Sequence, residues 1–179
     1  LVAEQGTKVP QWYAGQCPLI DGECAILAPG GKALLMAVEL ATGKTRWATP
    51  NPRGFGMTHS SIVKLEHAGV AQYVYCHTEG VAGVAAADGR LLWNHPGWKI
   101  SIANVPTPVV LPGSRLLLTG GYNTGAALLE LSGPGDDPAV TERFRLDASV
   151  FGSDQQTPIF HQGHVYGVIA GGRLACLEI

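Results

Sequence analysis

Short apolar stretches alternate with glycine-containing turns along the whole chain, and this pattern repeats. Ala37–Trp47 and Gly83–Trp93 each consist of an apolar stretch, a tight glycine turn and a second stretch that ends in tryptophan. The two tryptophans are 46 positions apart. That spacing lies within the period of about 40 to 50 residues that is typical of one four-stranded sheet in a repeat protein. The pattern therefore predicts an all-β protein of repeated antiparallel units.

Four units are predicted, and each begins with an apolar strand followed by a glycine hairpin and further strands. Glycine suits these hairpins because it accepts positive φ without a steric penalty. Three outer strands carry a bulky aromatic residue, Trp47, Trp93 and Phe144, which we expect to pack between neighbouring sheets. The fourth unit stops before such a strand. The approximate bounds of the units are residues 16–49, 59–95, 106–146 and 156–179.

This arrangement predicts one partial β-propeller domain over residues 1–179, with about four blades of four-stranded antiparallel sheet. The chain begins at Leu1 and its last unit is incomplete, so we expect a piece of a larger propeller, with the remaining blades of the parent chain as its first partners. The alternative is a closed four-bladed ring in which Leu1–Lys8 supplies the missing outer strand.

The charge and the cysteine spacing argue against several classes of function. The formal net charge is −2 and charged residues are 15% of the chain, so there is no basic footprint for nucleic acid or an anionic membrane. The apolar stretches are too short for a membrane span. The four cysteines lie on or beside apolar strands and lack the spacing of a zinc or redox site. We expect small buried hydrophobic side chains, with a Cys17–Cys24 disulfide as the alternative.

Polar residues are concentrated in the connections that lead from each outer strand to the next unit. In a propeller these connections meet at one face, around the channel. Amides, hydroxyls and aromatic rings together favour a neutral polar ligand such as a carbohydrate or polyol. The alternative is structural, because such side chains also satisfy backbone groups of neighbouring sheets. The candidate ligand-binding residues are Trp12, Gln16, Thr58, His59, Lys99, Asn104, Gln155 and Gln156.

One repeat resembles a known family. Ala37–Trp47, which reads Ala-Val-Glu-Leu-Ala-Thr-Gly-Lys-Thr-Arg-Trp, resembles the tryptophan-docking motif of the pyrroloquinoline quinone (PQQ) enzyme-like propellers, and Val84–Trp93 resembles a second copy. Within that family the chain is most similar to bacterial PQQ-binding-like repeat proteins. The resemblance implies a full propeller of about seven or eight blades and a periplasmic or secreted protein of the cell envelope. The family includes both quinoprotein alcohol dehydrogenases and non-enzymatic scaffolds.

A quinone site requires Ca²⁺ held by oxygen ligands and a carboxylate base. The family resemblance also implies a pair of adjacent cysteines at such a site. This chain has no adjacent cysteines, and its acidic residues fall mostly in predicted turns or outer strands. PQQ and Ca²⁺ are therefore implied by resemblance alone, and no catalytic or metal-binding residue is assigned.

Three classes of function remain open. A non-catalytic binding or scaffold domain, with a small polar molecule or a protein as its partner, is favoured. The alternative is a PQQ-dependent alcohol or polyol oxidoreductase whose catalytic residues lie largely outside this segment. A carbohydrate-active hydrolase is third and would need two carboxylates on the channel face.

Overall fold

The computed structural model describes residues 1–179, and antiparallel strands form nearly all of the regular structure. Sheet I contains β1 (Leu19–Asp21), β2 (Cys24–Leu27), β3 (Ala33–Glu39) and β4 (Thr45–Pro50). Sheet II contains β5 (Val63–His67), β6 (Val70–His77), β7 (Gly80–Ala85) and β8 (Leu91–His95). Sheet III contains β9 (Val109–Leu111), β10 (Arg115–Gly120), β11 (Gly125–Ser132) and β12 (Ala139–Leu146). Sheet IV contains β13 (Ile159–His161), β14 (His164–Ile169) and β15 (Arg173–Glu178).

Each sheet is a simple meander in which the strands lie side by side in chain order. Tight turns join the strands, as the glycine pattern predicts. The prediction of an all-β protein built from repeated antiparallel units is confirmed. The only helix is a four-residue turn, α1 (Val2–Gln5). No helix is long and apolar enough to cross a membrane.

The pairing registers identify equivalent positions in the sheets. Ala37 pairs with Trp47 in sheet I, and Gly83 pairs with Trp93 in sheet II. Leu128 pairs with Phe144 in sheet III. Because side chains alternate between the two faces of a strand, residues at equivalent positions point the same way in each sheet. In each of these sheets the aromatic ring therefore lies on the equivalent face.

Three apolar clusters lie between consecutive sheets and show how the sheets stack. The first joins Ile26 and Leu35 of sheet I to Tyr75 of sheet II. The second joins sheet II to sheet III, and the third joins sheet III to sheet IV. The sheets are thus packed face to face in chain order. On sheet IV the equivalent outer face carries Tyr166 and Leu174, which are exposed.

A row of hydrogen bonds links equivalent residues at the start of the first strands. The Cys17 N–H donates to Ser61 Oγ at 2.9 Å, and the Ser61 N–H donates to Thr107 Oγ1 at 3.2 Å. The Thr107 N–H donates to Thr157 Oγ1 at 3.0 Å. Each unit thus contacts the next in the same way, and the first strands lie side by side at one edge of the stack.

The aromatic residues of the outer strands differ in burial. Trp93 is 6% exposed, and its Nε1 donates to Gln72 Oε1 at 2.5 Å. A methyl group at Gly83 would overlap the indole, so this position requires glycine. Trp47 is half-buried in the first cluster and stacks on Tyr73 with ring centroids 6.0 Å apart. Phe144 is half-buried against the third cluster.

One expectation from the sequence is wrong in part, and two of the alternatives are wrong. Leu1–Lys8 contains the helical turn and no strand, so it does not complete sheet IV, which keeps three strands. The cysteines are not all buried, because Cys17 and Cys176 are exposed while Cys24 and Cys76 are buried. Cys17 precedes the first strand, and Cys176 lies on the uncovered face of sheet IV. All four thiols are free, so Cys17 and Cys24 form no disulfide.

Candidate functional site

Two adjoining cavities lie at one end of the sheets. Because neighbouring strands run in opposite directions, the turns between second and third strands share this end with the connections from one sheet to the next. Each cavity has a volume of about 470 Å³, and both include His59 and Ala103 in their walls. We refer to the cavity that contains Thr58 and Lys99 as the polar cavity, and to the one that contains Trp12 and Tyr122 as the aromatic cavity.

Thr58 in the polar cavity has a structural role. Its Oγ1 donates to the Cys76 carbonyl at 2.6 Å, and its N–H donates to the Tyr75 hydroxyl at 2.8 Å. Burial raises the pKa of Tyr75 to about 12, so this hydroxyl stays protonated at neutral pH. These bonds tie the connection between sheets I and II to β6 and thereby position the neighbouring His59.

Asn104 is the polar wall residue with unused hydrogen-bonding capacity. Its main-chain carbonyl accepts from the His59 N–H at 3.0 Å. The side chain is buried, with 5% of the residue exposed, and neither Nδ2 nor Oδ1 has a hydrogen-bond partner. Burying an amide without partners is unfavourable, and such groups are rare in folded proteins. Both amide atoms are enclosed and lie near the Cys76 thiol, so a ligand hydroxyl would pair with them only after the side chain turns toward the cavity.

The Cys76 thiol lies near the side chains of Ser60 and Asn104, behind the same wall. Burial raises its pKa to about 12, although these two side chains act in the opposite direction. The thiolate is the nucleophilic form of cysteine, and it is not populated at neutral pH with such a pKa. Cys76 therefore packs as an apolar side chain.

Lys99, Glu79 and His77 line the polar cavity without giving it a net charge. Lys99 forms an ion pair with Glu79, and the hydrogen bond from Lys99 lowers the pKa of that carboxylate. His77 stacks on Phe55 with centroids 3.9 Å apart. Its Nδ1 accepts from the Glu79 N–H, so Nε2 carries the proton and donates to Asn94 Oδ1 at 2.7 Å. These three residues therefore make the cavity wall polar without adding a net charge.

The stability of the protein is expected to fall as His77 becomes protonated. Burial lowers its pKa to about 4 from an ordinary value of 6.5. The unfolded chain therefore binds this proton first, and stability falls as the pH drops from about 7 to about 4. The loss due to His77 is about 3 kcal/mol. Urea unfolding of the wild type and His77→Gln at pH 7 and pH 4 measures it. If His77→Gln lost as much stability between pH 7 and pH 4 as the wild type, protonation of His77 would not be the cause of the loss.

The aromatic cavity brings together residues from five separate segments: the stretch before β1, the three connections between sheets, and the turn between β10 and β11. The His59 Nε2 lies 2.9 Å from the Gln11 carbonyl, and its ring centroid is 6.5 Å from that of Trp12. Gly15 packs against the His59 ring, where a methyl group would come within 3.3 Å. The histidine is thus held on three sides. The residues that line this cavity are Trp12, Gly15, His59, Ala103, Val105, Tyr122 and Gln155.

The structure places six of the eight predicted site residues on the two cavities: Trp12, Thr58, His59, Lys99, Asn104 and Gln155. Gln16 lies apart, where it lines a smaller apolar cavity and its Nε2 donates to the Ala28 carbonyl at 2.8 Å. Gln156 lines neither cavity, and its carbonyl accepts from Ser153 Oγ. Sequence reasoning missed Tyr122, which lies in the turn between β10 and β11. The feature of the sequence that could have indicated Tyr122 is the presence of an aromatic residue in a glycine-rich turn.

The side chains that line the two cavities do not fit a PQQ and Ca²⁺ site. The only carboxylate on the two cavities is that of Glu79, and it is already paired with Lys99. No group of three or more histidine, cysteine, aspartate or glutamate side chains is arranged to hold a metal ion. Ca²⁺ takes six to eight oxygen ligands that usually include carboxylates, and the amides and hydroxyls here are instead suited to hydrogen bonding.

Comparison of the sequence with protein-family models and with curated proteins finds no match.

Proposed function

We propose that the protein is a non-catalytic binding domain for a neutral polar ligand such as a carbohydrate, and that its four sheets are consecutive blades of a β-propeller. The radial arrangement is supported by the row of hydrogen bonds through Ser61, Thr107 and Thr157, in which each unit repeats the same contact. It is also supported by the equivalent apolar faces that join each sheet to the next.

The electrical neutrality of the polar cavity carries the proposal for the ligand. Lys99 and Glu79 neutralise each other, and burial keeps His77 uncharged at neutral pH. A phosphate or a metal cation would find no compensating charge there. A ligand rich in hydroxyl groups can both donate and accept hydrogen bonds, and the unpartnered amide of Asn104 would match both capacities once its side chain turns toward the cavity.

Asn104→Ala is expected to weaken binding of such a ligand by about five- to tenfold, which corresponds to one lost hydrogen bond. Thermal stability should be unchanged or slightly higher, because the variant removes a buried amide that has no partner. Calorimetric titration against a panel of sugars and polyols, together with thermal melts, measures both effects. Gln156→Ala is the matched control, since this exposed amide lines neither cavity.

Two outcomes would overturn the proposal. Unchanged binding by Asn104→Ala, combined with a lower melting temperature, would show that the amide is structural. Tight binding of PQQ in the presence of Ca²⁺, with no binding of sugars or polyols, would favour the oxidoreductase alternative that the family resemblance implies.

A further inference from the structure

We infer that Trp12 and Tyr122 form an aromatic clamp for a sugar ring, so that the aromatic cavity selects pyranosides over open-chain polyols. This inference rests on the proposed function and specifies the ligand class. Trp12 precedes sheet I, whereas Tyr122 lies in a hairpin turn of sheet III, and the fold brings both to the wall of one cavity. Neither residue belongs to the other's unit of the repeat.

Both rings retain free apolar surface. Trp12 is 60% exposed and Tyr122 is 38% exposed, so neither is used fully in the core. Aromatic rings offer a flat apolar face together with a polar edge, which suits ligands that present both kinds of surface. Exposed rings on a cavity wall are thus available for stacking against a ligand.

The backbone places both rings in an uncommon conformation. Trp12 has a φ of 64° and Tyr122 a φ of 56°, in the left-handed region that is unfavourable for bulky residues. Strain alone does not indicate a site, because Tyr13 has a φ of 70° and is 81% exposed without lining either cavity. The two clamp residues combine this conformation with a place on the cavity wall.

The remaining wall residues complement the edge and the face of a sugar. The His59 Nε2–H donates to the Gln11 carbonyl, which leaves Nδ1 as an acceptor for a hydroxyl. The exposed amide of Gln155 offers both a donor and an acceptor. Ala103 and Val105 add apolar surface, and no lysine, arginine, aspartate or glutamate lines the cavity. An uncharged ring with hydroxyls at its edge matches this set.

The pyranose ring of the ligand is what allows the clamp to select pyranosides over hexitols. A pyranoside presents a compact face of C–H groups for stacking, whereas a hexitol offers similar hydroxyls on a flexible chain without such a face. Immobilising the flexible chain also costs conformational entropy that the preformed ring does not lose. The clamp should therefore distinguish two ligands whose hydrogen-bonding groups are nearly the same.

The test compares methyl glucopyranoside and methyl galactopyranoside with sorbitol and galactitol on the full chain. Ligand-observed NMR gives the dissociation constants, and the fluorescence of the exposed Trp12 provides a second readout. The wild type is expected to prefer the pyranosides about tenfold, which equals about 1.4 kcal/mol. Trp12→Asn and Tyr122→Asn should each abolish the preference. Asparagine is chosen because it tolerates left-handed φ.

Tyr13→Asn is the matched control, since it changes an exposed aromatic residue of similar backbone conformation and should keep the preference. Trp12→Tyr should retain most of it. Equal binding of pyranosides and hexitols by the wild type, or a preference that survives in both clamp variants, would overturn the clamp while the proposed binding function stands. No binding of either ligand class would overturn both.

Discussion

Replacing Trp93 with alanine is expected to lower the free energy of unfolding by about 3 to 5 kcal/mol. The indole is 6% exposed and packs in the cluster between sheets II and III. Its loss leaves a cavity over Gly83 and removes the hydrogen bond to Gln72. Gln72 is fully buried and its Nε2 already has no partner, so the variant would leave the whole amide unpaired. Urea denaturation followed by circular dichroism measures the change.

Trp47→Ala is the matched comparison for this prediction. Trp47 is the equivalent residue of sheet I, but it is only half-buried, so its truncation should cost less than that of Trp93. Trp93→Phe should recover part of the loss, because it keeps a ring in the cluster while removing the hydrogen bond. A loss below about 1 kcal/mol for Trp93→Ala would show that the indole does not fill the space between the sheets.

Leu35→Ala is expected to destabilise the protein by about 2 to 5 kcal/mol, whereas Leu174→Ala should change stability by less than about 0.5 kcal/mol. The two leucines occupy equivalent positions on the third strands of sheets I and IV, as their registers show. Leu35 is 0% exposed because sheet II covers it, while Leu174 is 76% exposed. The same side chain at the same position thus differs in what lies over it and in the neighbouring fourth strand, which sheet I has and sheet IV lacks. Thermal and urea unfolding of both variants measure the difference.

This pair also tests whether the face of sheet IV is free in solution. A loss for Leu174→Ala as large as that for Leu35→Ala would contradict the exposed position of Leu174. The measurement should be made at several protein concentrations, because a loss that grows with concentration would indicate that other molecules cover this face.

The repeated sheets could be predicted from local pattern. A strand has a side-chain period of two, and a hairpin needs residues that accept positive φ, so alternation and glycine turns report strands directly. The spacing of Trp47 and Trp93 then indicated the length of one unit. The burial of the cysteines could not be predicted in the same way. Cys176 lies on a strand with an apolar pattern, and its exposure depends on whether another sheet covers that face.

Part of the candidate site could be predicted from the sequence. Polar residues in the connections between sheets identified His59, Asn104 and Gln155 because the topology brings these connections to one end. Nothing in the sequence indicated that Asn104 would lack a hydrogen-bond partner. The sequence also did not indicate that Trp12 and Tyr122 line the same cavity, since they lie in segments of different units.

The chain alone therefore determines its strands, its turns and the period of its units, because these depend on contacts between residues that are close in sequence. Which faces are buried, which charges cancel and which aromatic rings meet depend on how distant sheets pack. Lys99 and Glu79 illustrate the difference, since each looks like a free surface charge in the sequence and only the folded protein makes them a neutral pair.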